Sequence, residues 1–187
     1  MTNIAILASY NGSGFDTLYQ ASKNGILDIN IKLVISNNTN AVALEKAQAY
    51  NINSYIVNAT TDTNVDEKIY TLLKEHKCEY VFLSGYMKKI SSKITNNFKV
   101  INSHPSLLPK YGGQGMYGRY VHEAVVKNNE KVSGVTVHEV NEKYDDGKII
   151  LQKQLHLADG ETPQTLEQKI KELEKSTIVE SFIQCLK

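Results

Sequence analysis

Short apolar runs alternate with helical stretches through the first two thirds of the chain, and this alternation constrains the fold most. The strand-like runs are apolar on both faces, so both faces must be covered by other elements. Strands of this kind, separated by helices, predict a doubly wound α/β fold: a mostly parallel sheet with helices on both faces. The predicted strands cover residues 4–8, 29–36, 54–57, 80–84 and 100–102, and the predicted helices cover residues 15–23, 41–50 and 66–76.

The pattern changes near residue 134. Two alternating runs, residues 134–140 and 148–155, flank the turn residues Asp145-Asp146-Gly147, which predicts an antiparallel hairpin appended to the parallel sheet. A final helix begins at Thr162-Pro163, an N-cap residue followed by a proline suited to the first helical position. We found no linker, repeat or low-complexity segment, so a single domain over residues 1–187 is predicted. The predicted buried stripe of the final helix is Leu166, Ile170, Leu173, Ile178, Phe182 and Leu186.

Composition narrows the class of protein. Lys plus Arg number 21 and Asp plus Glu number 20, and a net charge of +1 argues against binding nucleic acid through a broad basic field. There is no signal-peptide pattern, and no apolar run reaches the ~18 residues of a membrane span. Cys78 and Cys185 lie far apart and match no metal spacing, so we interpret them as reduced thiols. A cytoplasmic protein without membrane or nucleic-acid partners is expected.

The first candidate for chemistry is the loop Asn11-Gly12-Ser13-Gly14, which follows the first predicted strand and opens the first predicted helix. Backbone N–H groups and the positive end of a helix suit a phosphate there. The loop lacks the Lys-Ser or Lys-Thr of a Walker A motif, and Thr17 stands where a dinucleotide fingerprint has its third glycine. Two interpretations remain open at this point: a phosphate loop or a plain strand-to-helix turn.

The second candidate is the loop of residues 102–109, where two of the three prolines stiffen the chain after the fifth predicted strand. Asn102 offers an amide donor, and His104 can change its charge near neutral pH, so together they could stabilise an oxyanion. The alternative is a histidine that caps a turn. Asp145 is an ordinary turn residue unless it faces His104, where it would orient the imidazole and raise its pKa.

The remaining histidines and glycines give weaker indications. His138 could point at the same site, whereas His76, His122 and His156 are predicted to be surface residues. No group of Cys, His or carboxylate residues has metal-ligand spacing, so no metal is expected. Residues 111–118 hold four of the eleven glycines, which is typical of a mobile cover that excludes water or of a disordered surface loop.

These motifs carry a resemblance to a known family. Residues 101–109, Ile-Asn-Ser-His-Pro-Ser-Leu-Leu-Pro, followed by His138 and then Asp145-Asp146-Gly147, resemble the signature of the phosphoribosylglycinamide formyltransferase family. The resemblance extends over essentially the whole chain, and residues 115–118 and 121–125 are similar to one subgroup. Tyr10 and Gly14 depart from the usual Gly and Asn of the family, and Lys88 replaces a usual Arg.

The resemblance implies a formyltransferase fold and a reaction. A formyl group would pass from 10-formyltetrahydrofolate, the cosubstrate, to the amine of 5-phosphoribosylglycinamide (glycinamide ribonucleotide) in de novo purine biosynthesis. Two alternatives stay open: a formyltransferase for another amine, such as an amino-sugar nucleotide, and a non-enzymatic nucleotide-binding module of the same fold. The implied partners are small-molecule substrates, and the chain would be a monomer or a homodimer.

The resemblance also assigns roles by position. Asn102, His104 and Asp145 would be catalytic. The substrate phosphate would lie on Gly12, Ser13 and Gly14, and Glu174 would hold the ribose hydroxyls; without the family, Glu174 would be interpreted as an exposed helix charge. The folate would contact Asn102 and two segments: Met87, Lys88, Lys89 and Ile90, and Val140, Asn141, Glu142 and Tyr144.

Overall fold

A computed structural model describes all residues, 1–187, and its chain divides into two compact units, Met1–Asn102 and Ser103–Lys187. The prediction of one domain over the whole length therefore stays a prediction. Seven strands are present: five parallel strands come first along the chain, and an antiparallel pair follows. This is the predicted fold class.

The first unit is built on the parallel strands in the order β3-β2-β1-β4-β5. Residues Ile4–Leu7 of the first strand are completely buried, as a continuous apolar run in a covered parallel sheet must be. The strands are β1 (Thr2–Leu7), β2 (Ile29–Ser36), β3 (Asn53–Ile56), β4 (Tyr80–Leu83) and β5 (Lys99–His104), whose last two residues begin the second unit. The helices are α1 (Ser13–Lys23), α2 (Val42–Ala49), α3 (Val65–Glu75) and the short α4 (Ser92–Thr95).

The second unit contains α5 (Arg119–Lys127), β6 (Val132–Glu139), β7 (Ile149–His156) and α6 (Pro163–Cys185). Strands β6 and β7 pair antiparallel, with a register irregularity between Val137 and His138. Thr162 caps α6 through a capping box with Thr165, so the predicted helix start is confirmed. Of the predicted buried stripe, Leu173 and Leu186 are only half-buried, and the fully buried members are Leu166, Ile170, Ile178 and Phe182.

The sequence located the long elements to within one or two residues at most ends but missed two helices. Helix α4 is a single turn, too short for a periodic pattern to form. Helix α5 begins after Gly118 without a side-chain cap, so it lacks the polar start signal that marked α6. No helix of the chain is long and apolar enough to span a membrane.

Candidate active site

The loop Asn11-Gly12-Ser13-Gly14 has the backbone geometry that a phosphate loop requires. Gly12 is the N-cap of α1 with φ +64° and has no side chain to cap the helix; Ser84 Oγ accepts from the Phe15 N–H (3.1 Å), and the N–H groups of Ser13 and Gly14 point to the same end of the helix. The Lys46 ammonium donates to the Asn11 carbonyl (2.8 Å) and pairs with Asp16. A Cβ added to Gly12 would lie 3.1 Å from the Ala43 Cβ, so close packing requires glycine there as well.

Ser9 connects the loops that follow three strands of the first unit. Its hydroxyl donates to Asn37 Oδ1 (2.6 Å), after β2, and accepts from the Met87 N–H (2.7 Å), after β4. The predicted folate segment, residues 87–90, therefore begins at a fixed point. Its residues lie in no helix or strand, Met87 is exposed, and Ile90 is buried as an anchor.

His104 is buried, and both of its ring nitrogens face acceptors. Nε2 lies 2.7 Å from the Tyr111 carbonyl oxygen, which can only accept, so Nε2 carries a proton. Nδ1 lies 3.6 Å from Asp145 Oδ2, too long for a direct hydrogen bond but within reach for an ionic interaction. The structure therefore brings His104 and Asp145 together. This was the condition under which the sequence analysis gave Asp145 a role beyond that of a turn residue. Nδ1 is the nitrogen left for a reacting group.

Burial lowers the pKa of His104 below its ordinary value of 6.5. Asp145 and the Tyr111 carbonyl act in the opposite direction, as expected for a carboxylate and a hydrogen-bond acceptor, but burial outweighs both. The expected effect of Asp145, a raised His104 pKa, is therefore present but smaller than the opposing effect of burial. At pH 7 His104 is neutral, and its Nδ1 holds a lone pair.

Asp145 is held at three points. Its Oδ2 accepts from the Gly113 N–H (2.9 Å), and its Oδ1 lies 3.5 Å from His138 Nε2. Burial opposes ionisation, but His138, His104 and the Gly113 N–H together hold the pKa of the Asp145 carboxyl below its usual range. Asp145 also has φ +53°, a strained conformation that only a fixed environment maintains. The carboxylate is thus charged and oriented.

His138 lies beside Asp145 in the same cluster as His104, although its sequence pattern was only a weak indication of a site residue. It lies on β6 and is buried, and its Nδ1 donates to its neighbouring carbonyl at Glu139 (2.8 Å). The other nitrogen, Nε2, therefore faces Asp145. The alternating pattern of β6 placed His138 near the turn, and the structure shows a register irregularity beside it, between Val137 and His138.

Hydrogen bonds within the second unit fix the loop after His104. Thr136 Oγ1 donates to the Ser106 carbonyl (2.6 Å) and accepts from the Leu108 N–H (3.0 Å). Gln152 Nε2 donates to the Leu108 carbonyl (2.9 Å). The stiffness predicted from two prolines is therefore reinforced by β6 and β7, the strands that carry His138 and lead from the Asp145 turn.

Glu174 lies on α6 and is not the exposed helix charge that the residues alone indicated. It is half-buried, and it accepts a hydrogen bond from Ser103 Oγ at 2.6 Å. Burial raises the pKa of the Glu174 carboxyl, while Ser103 and Lys171 oppose that rise. A carboxylate with one fixed hydroxyl partner can accept further hydroxyl donors, which is the chemistry of a ribose site.

The other predicted ligand residues occupy turns and strand ends. Asn102 is on β5, paired in register with Leu83 of β4, and is half-buried. The second folate segment follows β6: Val140 is half-buried, Asn141 Oδ1 accepts from the Lys143 N–H (2.9 Å), and Glu142 and Tyr144 are exposed. These placements leave their predicted roles as predictions.

His122 is buried at 3% exposure, so the prediction of a surface residue is wrong. It lies on α5 beside Val121 and Val125, and its Nδ1 has no hydrogen-bond partner. Burial lowers the pKa of His122, and Glu167 only partly opposes this. Because helix α5 was not predicted, no helical periodicity was available from which to place this side chain.

His122→Leu is expected to make the protein less sensitive to acid. The unfolded chain binds a proton at His122 near pH 6.5 while the folded chain does so only at lower pH, so stability falls as pH falls through 6.5. At pH 5.5 this loss is at most about 1.4 kcal/mol, and the leucine variant lacks it. Urea unfolding at both pH 7.5 and pH 5.5 measures the difference. His156→Gln, at an exposed site, is the control, and equal pH slopes in wild type and His122→Leu would contradict the prediction.

The fold and the His104–Asp145 pair at a strand end define an α/β protein with a candidate acid–base site, and the comparison with protein families makes this specific. Residues 2–182 match the family described as formyl transferase. The chain therefore belongs to the formyl transferase family.

Relatives within this family have a narrower name. A phosphoribosylglycinamide formyltransferase of Bacillus subtilis is 34% identical over 93% of this chain and 89% of its own length. A chloroplastic enzyme of the same name from Arabidopsis thaliana is 29% identical, and the chain spans 63% of its length. The crystal structure of phosphoribosylglycinamide formyltransferase from Bacillus halodurans superposes with a TM-score of 0.90 at 28% identity, covering 99% of this chain and 95% of that one.

Proposed function

We propose that this chain transfers a formyl group from 10-formyltetrahydrofolate to the amine of 5-phosphoribosylglycinamide, a step of purine biosynthesis. One observation carries the proposal: the buried His104 ring and the charged Asp145 carboxylate face each other in a chain whose relatives are named for this reaction. The enzyme is a one-carbon group transferase that works in the cytoplasm, as a monomer or a homodimer, on small molecules. It needs neither a metal nor a nucleic-acid or membrane partner.

The folate segments suit a flat heteroaromatic ring with several donors and acceptors. Residues 87–90 are irregular, so their backbone groups are not committed to a strand ladder, and the Ser9 bond fixes where the segment begins. Residues 140–144 form an irregular turn of the same kind. When bound, 10-formyltetrahydrofolate supplies the formyl group. The chain supplies backbone hydrogen bonds and the side chain of Asn102.

The ribonucleotide would bind through its phosphate and its sugar. The N-terminus of α1 at Gly12, Ser13 and Gly14 offers backbone N–H donors to the phosphate. Gly14 lacks the amide side chain usual in the family, so backbone donors carry this contact. Glu174 accepts hydrogen bonds from the ribose hydroxyls, with Ser103 holding the carboxylate in place.

The catalytic residues accept a proton from the amine and stabilise the negative charge that develops on the formyl oxygen. Attack by the amine places negative charge on the formyl oxygen and an excess proton on the amine nitrogen. Neutral His104 takes this proton at Nδ1, directly or through a water, and becomes an imidazolium that Asp145 stabilises. The imidazolium and the Asn102 amide then stabilise the oxyanion, and the same proton can pass to the departing nitrogen. Holding two substrates in contact can contribute a further ~7–11 kcal/mol.

An assay of amine acceptors tests the proposal. The protein is incubated with 10-formyltetrahydrofolate and either 5-phosphoribosylglycinamide or an amino-sugar nucleotide, and release of tetrahydrofolate is followed. Release with the ribonucleotide alone supports the proposal. Release only with the amino-sugar nucleotide, or binding of a nucleotide without any release, would overturn it in favour of one of the two alternatives.

Glu174→Ala is expected to weaken the ribonucleotide selectively. Hydrogen bonds to a charged acceptor are worth about 1.5–3 kcal/mol, so the KM of the ribonucleotide should rise about 10- to 150-fold. The KM of the folate should not change, because Glu174 is assigned only to the sugar. Steady-state kinetics with each substrate varied in turn measures both constants.

Ser103→Ala is the companion variant for this prediction. It keeps the carboxylate but removes the hydroxyl that holds it, so a smaller rise in the ribonucleotide KM is expected. Thermal unfolding of both variants shows whether folding is preserved. An unchanged ribonucleotide KM in Glu174→Ala would return this residue to a structural role on α6.

A further inference from the structure

Tyr111 is bound to the catalytic histidine through its backbone and to the rest of the second unit through its side chain. Its carbonyl oxygen accepts from His104 Nε2 at 2.7 Å. Its hydroxyl donates to Glu130 Oε1 (2.9 Å) and accepts from Asn128 Nδ2 (2.9 Å). The ring packs against the buried cluster of Val121, Val125, Val135, Leu166 and Ile170. Tyr111 is therefore fixed at both ends.

The backbone of Tyr111 has a conformation that needs such fixing. Its φ is +56°, in the left-handed region that residues with a side chain seldom adopt. Conformations of this kind persist only where the surroundings over-determine them, and they cluster at functional sites. Here the left-handed turn aims the carbonyl at His104, and two residues later the Gly113 N–H bonds to Asp145 (2.9 Å).

We propose that Tyr111 is a positioning residue: its hydroxyl, anchored by Glu130, holds its carbonyl on His104 Nε2 and so selects the neutral tautomer with the lone pair on Nδ1. That nitrogen faces Asp145 and is the one that the proposed function requires to receive the amine proton. In the other neutral tautomer, Nε2 and the carbonyl oxygen would meet as two acceptors, and Nδ1 would have no lone pair for the incoming proton. This inference rests on the proposed function for its catalytic consequence but not for its structural one.

Substitutions at Tyr111 and Glu130 can remove the hydrogen bonds of the Tyr111 hydroxyl without removing the ring or the carbonyl. Phenylalanine at 111 would keep the ring in its packing and keep the carbonyl, and would lose only the bonds to Glu130 and Asn128. Glutamine at 130 would keep an acceptor oxygen for the hydroxyl, whereas alanine would not. Lys110 also bonds to Glu130 (3.0 Å) but through an exposed side chain, so its removal separates that ion pair from the tyrosine anchor.

The experiment measures the tautomer of His104 by NMR and kcat by steady-state kinetics. NMR of protein labelled with ¹⁵N-histidine at pH 7.5, with the signals of His104 assigned by their loss in His104→Ala, reports which ring nitrogen carries the proton. The wild type is expected to show a protonated Nε2 and an unprotonated Nδ1. Tyr111→Phe should shift both nitrogens towards averaged values and lower kcat about three- to tenfold, the range that one net hydrogen bond corresponds to, with both KM values unchanged.

Matched variants decide between positioning and general loss of structure. Glu130→Ala should reproduce Tyr111→Phe, Glu130→Gln should retain the wild-type signals, and the Tyr111→Phe/Glu130→Ala double variant should be no worse than either single one. Lys110→Ala and Tyr55→Phe, which removes a tyrosine hydroxyl bond to His76 in the first unit, should leave the His104 signals and kcat unchanged.

Two results would overturn the inference: wild-type His104 signals in Tyr111→Phe, or full additivity of the Tyr111 and Glu130 variants. A shifted tautomer in Tyr111→Phe together with a wild type that is inactive on 5-phosphoribosylglycinamide supports the positioning role and counts against the proposed function alone. The two failures are therefore distinguishable.

Discussion

His104→Ala is expected to lower kcat about 10²- to 10³-fold, the cost typical of removing one donor aimed at charge that develops in the transition state. The variant also loses the acceptor of the amine proton, so the larger value is expected. Both KM values should change little, because in the proposed mechanism His104 acts on charges that appear only during the reaction. Steady-state kinetics with both substrates varied measures these constants.

Asp145→Asn tests the other half of the same pair. The amide cannot stabilise the imidazolium, so a fall of about 10²-fold or more in kcat is expected. Because the proposed mechanism has the two residues act on one proton, the His104→Ala/Asp145→Asn double variant should be little worse than the poorer single variant. Full activity in Asp145→Asn would contradict the mechanism even though the chain belongs to the formyl transferase family.

The pH profile gives an independent reading of the pair. In the proposed mechanism His104 is a base that burial keeps neutral, so the acid limb of kcat/KM, which reports the free enzyme, should lie below pH 6.5 in the wild type. Asp145 raises the pKa of His104, so its removal should move the acid limb to still lower pH. The groups that face the ring are Asp145, the Tyr111 carbonyl and His138, and the last of these opposes protonation. A limb that moves to higher pH in Asp145→Asn would contradict this assignment.

The fold could be predicted from the sequence because its parallel strands are continuous apolar runs. Ile4–Leu7 is continuously apolar and completely buried, which leaves no ambiguity about a covered strand. Thr162-Pro163 marks the start of α6 with two separate signals. Helix α5 follows Gly118, which has φ +50° and no side chain to cap the helix. The sequence before α5 therefore contains no helix start signal.

The parts of the candidate site that consist of chemically distinctive side chains could be predicted. The parts that consist of backbone groups could not. His104 and Asp145 were identified by type and motif, and the structure places them 3.6 Å apart. The Tyr111 carbonyl and the Gly113 N–H have no sequence signature, because any residue has those groups. The net direction of the His104 pKa depended on burial, which the residues of its own loop do not reveal. Long-range packing therefore decided what local sequence could not.

Gly147→Ala is expected to damage both stability and catalysis, because Gly147 packs directly on the backbone behind the cluster. A Cβ at this position would lie 1.7 Å from the Glu139 carbonyl oxygen, a distance at which the backbone must shift. That carbonyl accepts the hydrogen bond from His138 Nδ1, and Gly147 follows Asp145 by two residues. One added methyl group is therefore expected to displace both the carbonyl that holds His138 and the turn that carries Asp145.

The expected cost of Gly147→Ala is about 1–3 kcal/mol in the free energy of unfolding, as for other overpacked sites. The expected fall in kcat is about 10²-fold, since displacements near 1 Å in a catalytic array can cost that much. Urea unfolding and steady-state kinetics on the folded variant measure the two effects. Gly160→Ala is the matched control: its φ of +77° imposes strain, but a Cβ there meets nothing within 4 Å. It should lose about 1–2 kcal/mol of stability and keep its kcat. If Gly147→Ala loses stability to the same extent but keeps its kcat as well, the Asp145 turn does not position the catalytic pair, and the assignment of Asp145 fails with it.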